Sequence, residues 1–146
     1  MRVSLEDLVL LAKEQLSMGR EVSFTITGNS MWPFLCHRRD KVVLESINKN
    51  KIKKGDIILF QVSEGNYVLH RITKKIGDLY ITTGDGNTWR DGVVSPNQVV
   101  ARVSMMVRKG KKIRCDNIWW RMIIRLWMAA FPIRKYLLRM LVLISS

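Results

Sequence analysis

From Ser4 onward the apolar residues Leu5, Leu8, Val9, Leu11, Ala12 and Leu16 return at helical spacing, with Ser4 placed as a cap and Asp7 three residues on. The chain is therefore expected to open with an amphipathic helix ending near Gly19. Glu21 to Thr27 then alternates polar and apolar positions with β-branched residues and runs into Gly28, which predicts a half-buried strand. Further strands are predicted at Lys41 to Glu45, Asp56 to Val62, Tyr67 to Thr73, Leu79 to Thr83 and Val99 to Val107. Turn signals separate them at Lys54-Gly55-Asp56, Glu64-Gly65-Asn66, Gly77-Asp78 and Gly84-Asp85-Gly86-Asn87. Short strands so spaced predict a mainly β, barrel-like core.

Beyond Gly110 the pattern changes again. Ile118 to Ile144 is dominated by Ile, Leu, Met and Trp, but Arg121, Arg125, Arg134, Lys135 and Arg139 interrupt it and Pro132 divides it. No charge-free stretch approaches the roughly 18 to 20 residues of a spanning helix. Three segments follow: an N-terminal helix over 1–20, a β core over 21–110 and a basic amphipathic helical segment over 111–146. Arg121 and Arg125 beside Trp119, Trp120 and Trp127 suit a helix lying in a lipid interface. They equally suit helices packed on the core or on a second copy of the chain, with arginines facing solvent.

Composition narrows the class without fixing the function. The 146 residues are 47% hydrophobic and 25% charged, which describes one folded domain rather than a disordered or fibrous chain. An excess of 25 Lys and Arg over 12 Asp and Glu leaves a net charge of +13, so an anionic partner is expected, a membrane surface or a nucleic acid, and the sign favours neither; a nucleic acid is not the expected partner on the reading below. Cys36 and Cys115 are too few for a disulfide framework, and Cys36, His37, His70 and Cys115 lack the paired spacing of a zinc site. The N-terminal leucines are broken by Glu6, Asp7, Lys13 and Glu14, so neither an export signal nor a spanning helix is expected there. The expected location is cytoplasmic, with peripheral membrane attachment through 118–144 as an option.

The chemistry-bearing residues lie in four short boxes. Gly28-Asn29-Ser30-Met31-Trp32-Pro33 follows directly on a predicted strand; Gly55-Asp56-Ile57-Ile58-Leu59-Phe60, Val68-Leu69-His70-Arg71-Ile72 and Thr83-Gly84-Asp85-Gly86-Asn87 come after it in order. A serine hydroxyl becomes a useful nucleophile when a neighbouring base takes its proton, and neutral imidazole suits that task near pH 7. Each box alone is a weak signal. Cys36 and His37 are the rival Cys/His pair, but adjacent residues on an extended chain point to opposite faces.

The four boxes together, spanning about residues 24–103, resemble the signal peptidase family. Its pattern is a Ser-Met-x-Pro box, a Gly-Asp strand, a base-bearing strand and a Gly-Asp-Asn turn. The bacterial leader peptidases and SOS repressors of that group carry a lysine base; the endoplasmic-reticulum and archaeal type carries histidine in a Val-His-Arg-like strand, and His70 matches the latter. The resemblance implies a signal-peptidase or SOS-repressor-like β-barrel and a serine endopeptidase that removes a leader or propeptide after a small residue, with no cofactor or metal. Ser30 is the implied nucleophile and His70 the base. Asp91, six residues beyond Asp85, is the implied triad aspartate, while Asp85 supports the turn. The oxyanion donor is the Ser30 N–H; Gly28 offers no hydroxyl two residues earlier, so Asn29 or Thr27 is the side-chain candidate. Met31 and the strand before Ser30 are the implied pocket lining, with the substrate peptide added as a strand. The chain departs from the pattern at Trp32, at Gly86 within the turn, at Arg90 beside Asp91, and in lacking an apolar anchor ahead of the serine. The alternative is a binding module whose basic surface holds lipid or nucleic acid without catalysis.

Overall fold

In the computed structural model, which describes residues 6–47 and 52–145, the chain forms one mainly antiparallel β structure with helices at both ends. The helix α1 spans Glu6–Ser17. The proposed cap at Ser4, and Leu5, fall outside the described residues, as do the side chains of Asp7, Leu8 and Leu11. Strands β1 (Val22–Thr25), β2 (Lys41–Glu45), β3 (Ile57–Ser63), β4 (Asn66–Ile76) and β5 (Leu79–Thr83) follow. Next come β6 (Val93–Val94), β7 (Val99–Arg108) and β8 (Lys111–Arg114), then α2 (Ile118–Ala129) and α3 (Arg134–Ser145).

The sheet runs in the order β1-β2-β7-β3-β4-β5-β6. On one edge β7 pairs with β2; on the other, its first half pairs with β3 and its second half with β8. The barrel expected from the strand spacing is not closed. No pairing joins β1 to β6 among the described residues, and these terminal strands have only four and two residues, too few backbone groups for a closing ladder.

The four-residue run Ile57-Ile58-Leu59-Phe60 is buried on both sides of β3 because apolar material covers both faces of the sheet there. Ile57 and Leu59 join the main core with Val9 and Leu16 of α1, Met31 and Leu35, Val42 and Leu44 of β2, and Trp120 and Ile124 of α2. Ile58 and Phe60 join the second cluster with Ile72, Tyr80 and Val94.

The 111–146 segment does not stand apart from the 21–110 core. β8 closes a hairpin on β7 through Lys109 and Gly110, both at positive φ, and α2 drives Trp120, Ile124 and Trp127 inward at i, i+4 and i+7. Asn117 caps α2 by accepting the Trp120 amide at 3.1 Å. A short 3-10 turn at Phe131–Ile133, carrying Pro132, separates α2 from α3. Among the described residues no helix is long and apolar enough to cross a membrane.

Candidate active site

Strand β4 sorts the site by parity. Its neighbours His70 and Arg71 point to opposite faces of the sheet, so the two aspartates that follow are divided between them. His70 is 7% exposed and lies on the side of the second core cluster, edge-on to Phe60. Its Nδ1 is 2.5 Å from Asp91 Oδ2, an arrangement in which the ring N–H donates to the carboxylate and Nε2 is left with the free lone pair. The same Asp91 oxygen accepts the Thr82 hydroxyl at 2.8 Å, and the Asp91 amide donates to the Thr82 carbonyl at 2.8 Å. Both bonds fix the carboxylate against β5.

Asp85 belongs to the other face. Arg71 grips it with two parallel bonds, Nε to Oδ1 at 2.8 Å and a terminal nitrogen to Oδ2 at 2.7 Å, and donates at 2.7 Å to the Gly55 carbonyl. With side chains 3% and 2% exposed, this is a buried, bidentate pair that pins the Gly84–Asn87 turn to the sheet. Arg90 does not engage Asp91; its guanidinium lies over the Phe131 ring at 4.4 Å.

The Ser30 loop meets that turn. Gly86 N–H donates to the Ser30 carbonyl at 2.9 Å, and Asn87 N–H closes the turn on the Gly84 carbonyl at 2.9 Å. A Cβ at Gly84 would stand 2.5 Å from the Ser30 carbonyl and 3.0 Å from His70 Nε2, so only glycine leaves the gap between serine and imidazole open. A Cβ at Gly86 would stand 2.8 Å from the Asn29 carbonyl and 2.7 Å from that of Trp32. The extra glycine in the turn is thus what allows the Ser30 loop to lie against it. Ser30 Oγ and His70 share no hydrogen bond in this structure. The Ser30 N–H donates to no acceptor among the described residues.

Other site candidates fall elsewhere. Asn29 is exposed, and Thr27 Oγ1 is buried without a partner among the described residues. Met31 is 2% exposed in the main core. The cleft beside His70, about 270 Å³, is instead walled by Phe60, Val62, Val68, Asp91, Val93 and Gln98. Cys36 and His37 sit in a turn rather than an extended segment. His37 Nδ1 accepts the Gly28 amide at 2.6 Å, and the Cys36 amide donates to Asp40 at 2.7 Å. His37 therefore holds the positive-φ Gly28 two residues ahead of Ser30. Burial pushes the Cys115 thiol up to about 11, which leaves it a poor nucleophile.

Two residues of the C-terminal helices also reach the site. Trp127 Nε1 donates to the Asp85 carbonyl at 2.9 Å. Arg134, 1% exposed, donates to the carbonyls of Gly84 at 3.3 Å, Asn87 at 3.2 Å and Trp127 at 3.3 Å, and lies between the Trp127 and Phe131 rings. Phe34, four residues after Ser30, packs edge-on against Trp120 and Trp127. α2 thereby braces both the serine loop and the turn opposite it. An arginine at i+3 from Phe131 and i+7 from Trp127 marks the stacking of Arg134 on those two rings, whereas its bonds to the turn have no local signal. No protein-family model matches the chain, and no curated protein matches it.

Proposed function

We infer that the chain is a serine endopeptidase of the signal-peptidase type, acting through Ser30, His70 and Asp91. The observation that carries the reading is the 2.5 Å His70–Asp91 contact on a strand whose free imidazole nitrogen faces the backbone of Ser30 across Gly84. Asp91 fixes the tautomer that makes Nε2 the base. Ser30 Oγ gives its proton to Nε2 and attacks the scissile carbonyl carbon, whose oxygen becomes an oxyanion at the Ser30 N–H. His70 then passes the proton to the leaving amine, and water hydrolyses the acyl-serine by the same route in reverse. The cleft next to His70, with Phe60, Val62, Val68 and Val93 among its walls, suits a small side chain ahead of the cut, and β6 is a short edge strand beside it for an extended peptide to extend. On this reading the open sheet is a member of the signal-peptidase and SOS-repressor fold group, with its terminal strands left unpaired.

The test is cleavage of a peptide library containing leader-like sequences, read by mass spectrometry. The expected result is cutting after small residues by the parent protein and none by Ser30→Ala or His70→Ala, both folded by circular dichroism. Since members of one proton-transfer unit fail together, each loss should be nearly complete. Near-parental turnover by either variant overturns the assignment.

A further inference from the structure

The two C-terminal helices present more apolar surface than the core can cover. On α2, Trp119, Met122 and Leu126 are 72%, 50% and 70% exposed; on α3, Met140, Leu143 and Ile144 are all more than half exposed. Ile118 to Ser146 contains five Arg and Lys residues and no Asp or Glu. The inner face of α2 is already committed to the core through Trp120, Ile124 and Trp127, so these outer residues need another apolar neighbour.

Next to them lies a cleft of about 530 Å³ at the corner between the helices and the sheet. Its charged lining is Lys54, Lys74, Arg90 and Arg125 together with the buried Arg134, and no carboxylate contributes to it. The side chains of Lys54, Lys74 and Arg125 have no hydrogen-bond or ion-pair partner among the described residues. Like charges gathered around one cleft without a counter-charge repel unless an anion sits among them. Met122 and Arg125 are three residues apart on α2 and so share a side of the helix, which places the exposed apolar surface beside the cleft mouth.

We propose that this hairpin docks on an anionic phospholipid surface, with α2 and α3 seated among the acyl chains at the interface and a phosphate headgroup held in the Lys54, Lys74, Arg90 and Arg125 cleft. Exposed tryptophan among aliphatic residues and arginine is suited to the headgroup boundary. Helices of 12 residues reach about 18 Å, enough to lie in that boundary but not to cross it. A second copy of the chain is the poorer occupant, because it would bring another +13 charge and the same carboxylate-free surface against this one. The proposal does not depend on the peptidase reading.

Flotation of the full-length protein with phosphatidylcholine vesicles, and with vesicles containing phosphatidylglycerol, tests it without any peptide substrate. Binding is expected on the anionic vesicles and much less on the neutral ones. Each cation near such a surface contributes roughly fivefold, so Lys74→Gln with Arg125→Gln should weaken binding about 25-fold. Trp119→Ser with Leu126→Ser should weaken it further at high salt, where the apolar contribution remains. Neither pair removes a bond made within the protein, and unchanged thermal melts will show that folding is intact. Inorganic phosphate at millimolar concentration should compete only weakly, because it offers the headgroup charge without the acyl chains. Full competition by phosphate would make the cleft a site for a soluble anion and overturn the lipid docking. Absence of flotation with either vesicle would overturn it too, as would equal flotation by the parent and both double variants. A stable dimer that fails to float would assign the helices to a contact between copies.

Discussion

Arg134 is the residue whose removal best tests how the C-terminal helices support the site, because its effect is read from stability and needs no substrate. Arg134→Met keeps the length and apolar volume of the side chain and deletes the guanidinium. Three hydrogen bonds from a charged donor disappear, each worth about 1.5 kcal/mol at the long end of the distance range, since they measure 3.2 to 3.3 Å. The losses are not equal. The Gly84 carbonyl keeps the Asn87 amide at 2.9 Å, whereas no other donor to the Asn87 carbonyl appears among the described residues. Loss of the two ring contacts adds about 1 kcal/mol. Against this, the guanidinium is costly to bury. Burial lowers its pKa from the usual value, the Asp85 charge partly opposes that, and Arg71 and Arg90 reinforce it. Deleting the charge relieves that cost, and a net loss of about 2–4 kcal/mol remains. For a chain of this size the loss corresponds to a melting temperature lower by roughly 6–12 °C. Arg134→Lys, which keeps the charge but not the fork, should fall between parent and Met variant. Amide exchange gives the local readout: protection of the Gly86 and Asn87 amides should fall more than that of β3 or β7. A Met variant melting within about a degree of the parent, with those two amides equally protected, would refute the buttress.

The two site aspartates should fail in different assays. Asp91→Asn should lower turnover by about four orders of magnitude through the wrong imidazole tautomer with little effect on stability. Asp85→Asn, which leaves Arg71 buried with half its partner, should cost about 3–5 kcal/mol in urea unfolding; the opposite pattern would exchange their roles. Asp40 should show the acid side of stability. Burial raises its pKa, but the Arg39 guanidinium and the amides of Cys36 and Lys109 outweigh that and hold it below the ordinary 3.8. A carboxylate so depressed contributes stability that is present above the ordinary value and lost as pH falls through the lower folded one. Urea midpoints of the parent and Asp40→Asn should therefore differ by a constant amount above about pH 5 and converge below pH 4; a gap that persists at low pH would show that the charge is not what stabilises the loop.

Much of the fold was legible because its signals are local. The alternation in Glu21 to Thr27 and the run from Ile57 to Phe60 mark β1 and β3 within a few residues. β8 was missed because Lys111-Lys112-Ile113-Arg114 carries three charges and no apolar alternation; its one signal was the Lys109-Gly110 turn after an apolar strand. Closure of the sheet could not be read at all, since it depends on whether two short edge strands meet and not on how many strands precede them. At the site, Ser30, His70, Asp85 and Asp91 entered only through the resemblance of four boxes taken together, because 40 residues separate Ser30 from His70 and 21 separate His70 from Asp91. Parity on β4 separates His70 from Arg71, but which aspartate goes to which of them is fixed only by the fold of the 84–91 segment, which carries Asp91 to His70 and Asp85 to Arg71.

Arg134 and Trp127 were not within reach of the sequence either. Their bonds to the Gly84–Asn87 turn cross 50 and 42 residues of sequence, and no local pattern encodes a contact of that range. The change in composition after Gly110 therefore read as a new segment, with only the Lys109-Gly110 turn to signal that β8 pairs with β7 and no local signal that α2 enters the main core. A chain ending at Gly110 would lose β8 from the edge of β7 and Trp120 and Ile124 from the main core. It would also lose the Trp127 and Arg134 bonds that hold the turn between Ser30 and His70. Truncation thus removes the supports of the site together with the exposed apolar face, so the two roles of the hairpin are separable only by substitution. Changes at Trp119, Leu126, Lys74 and Arg125 act on the outer surface, and changes at Trp127 and Arg134 act on the inner one.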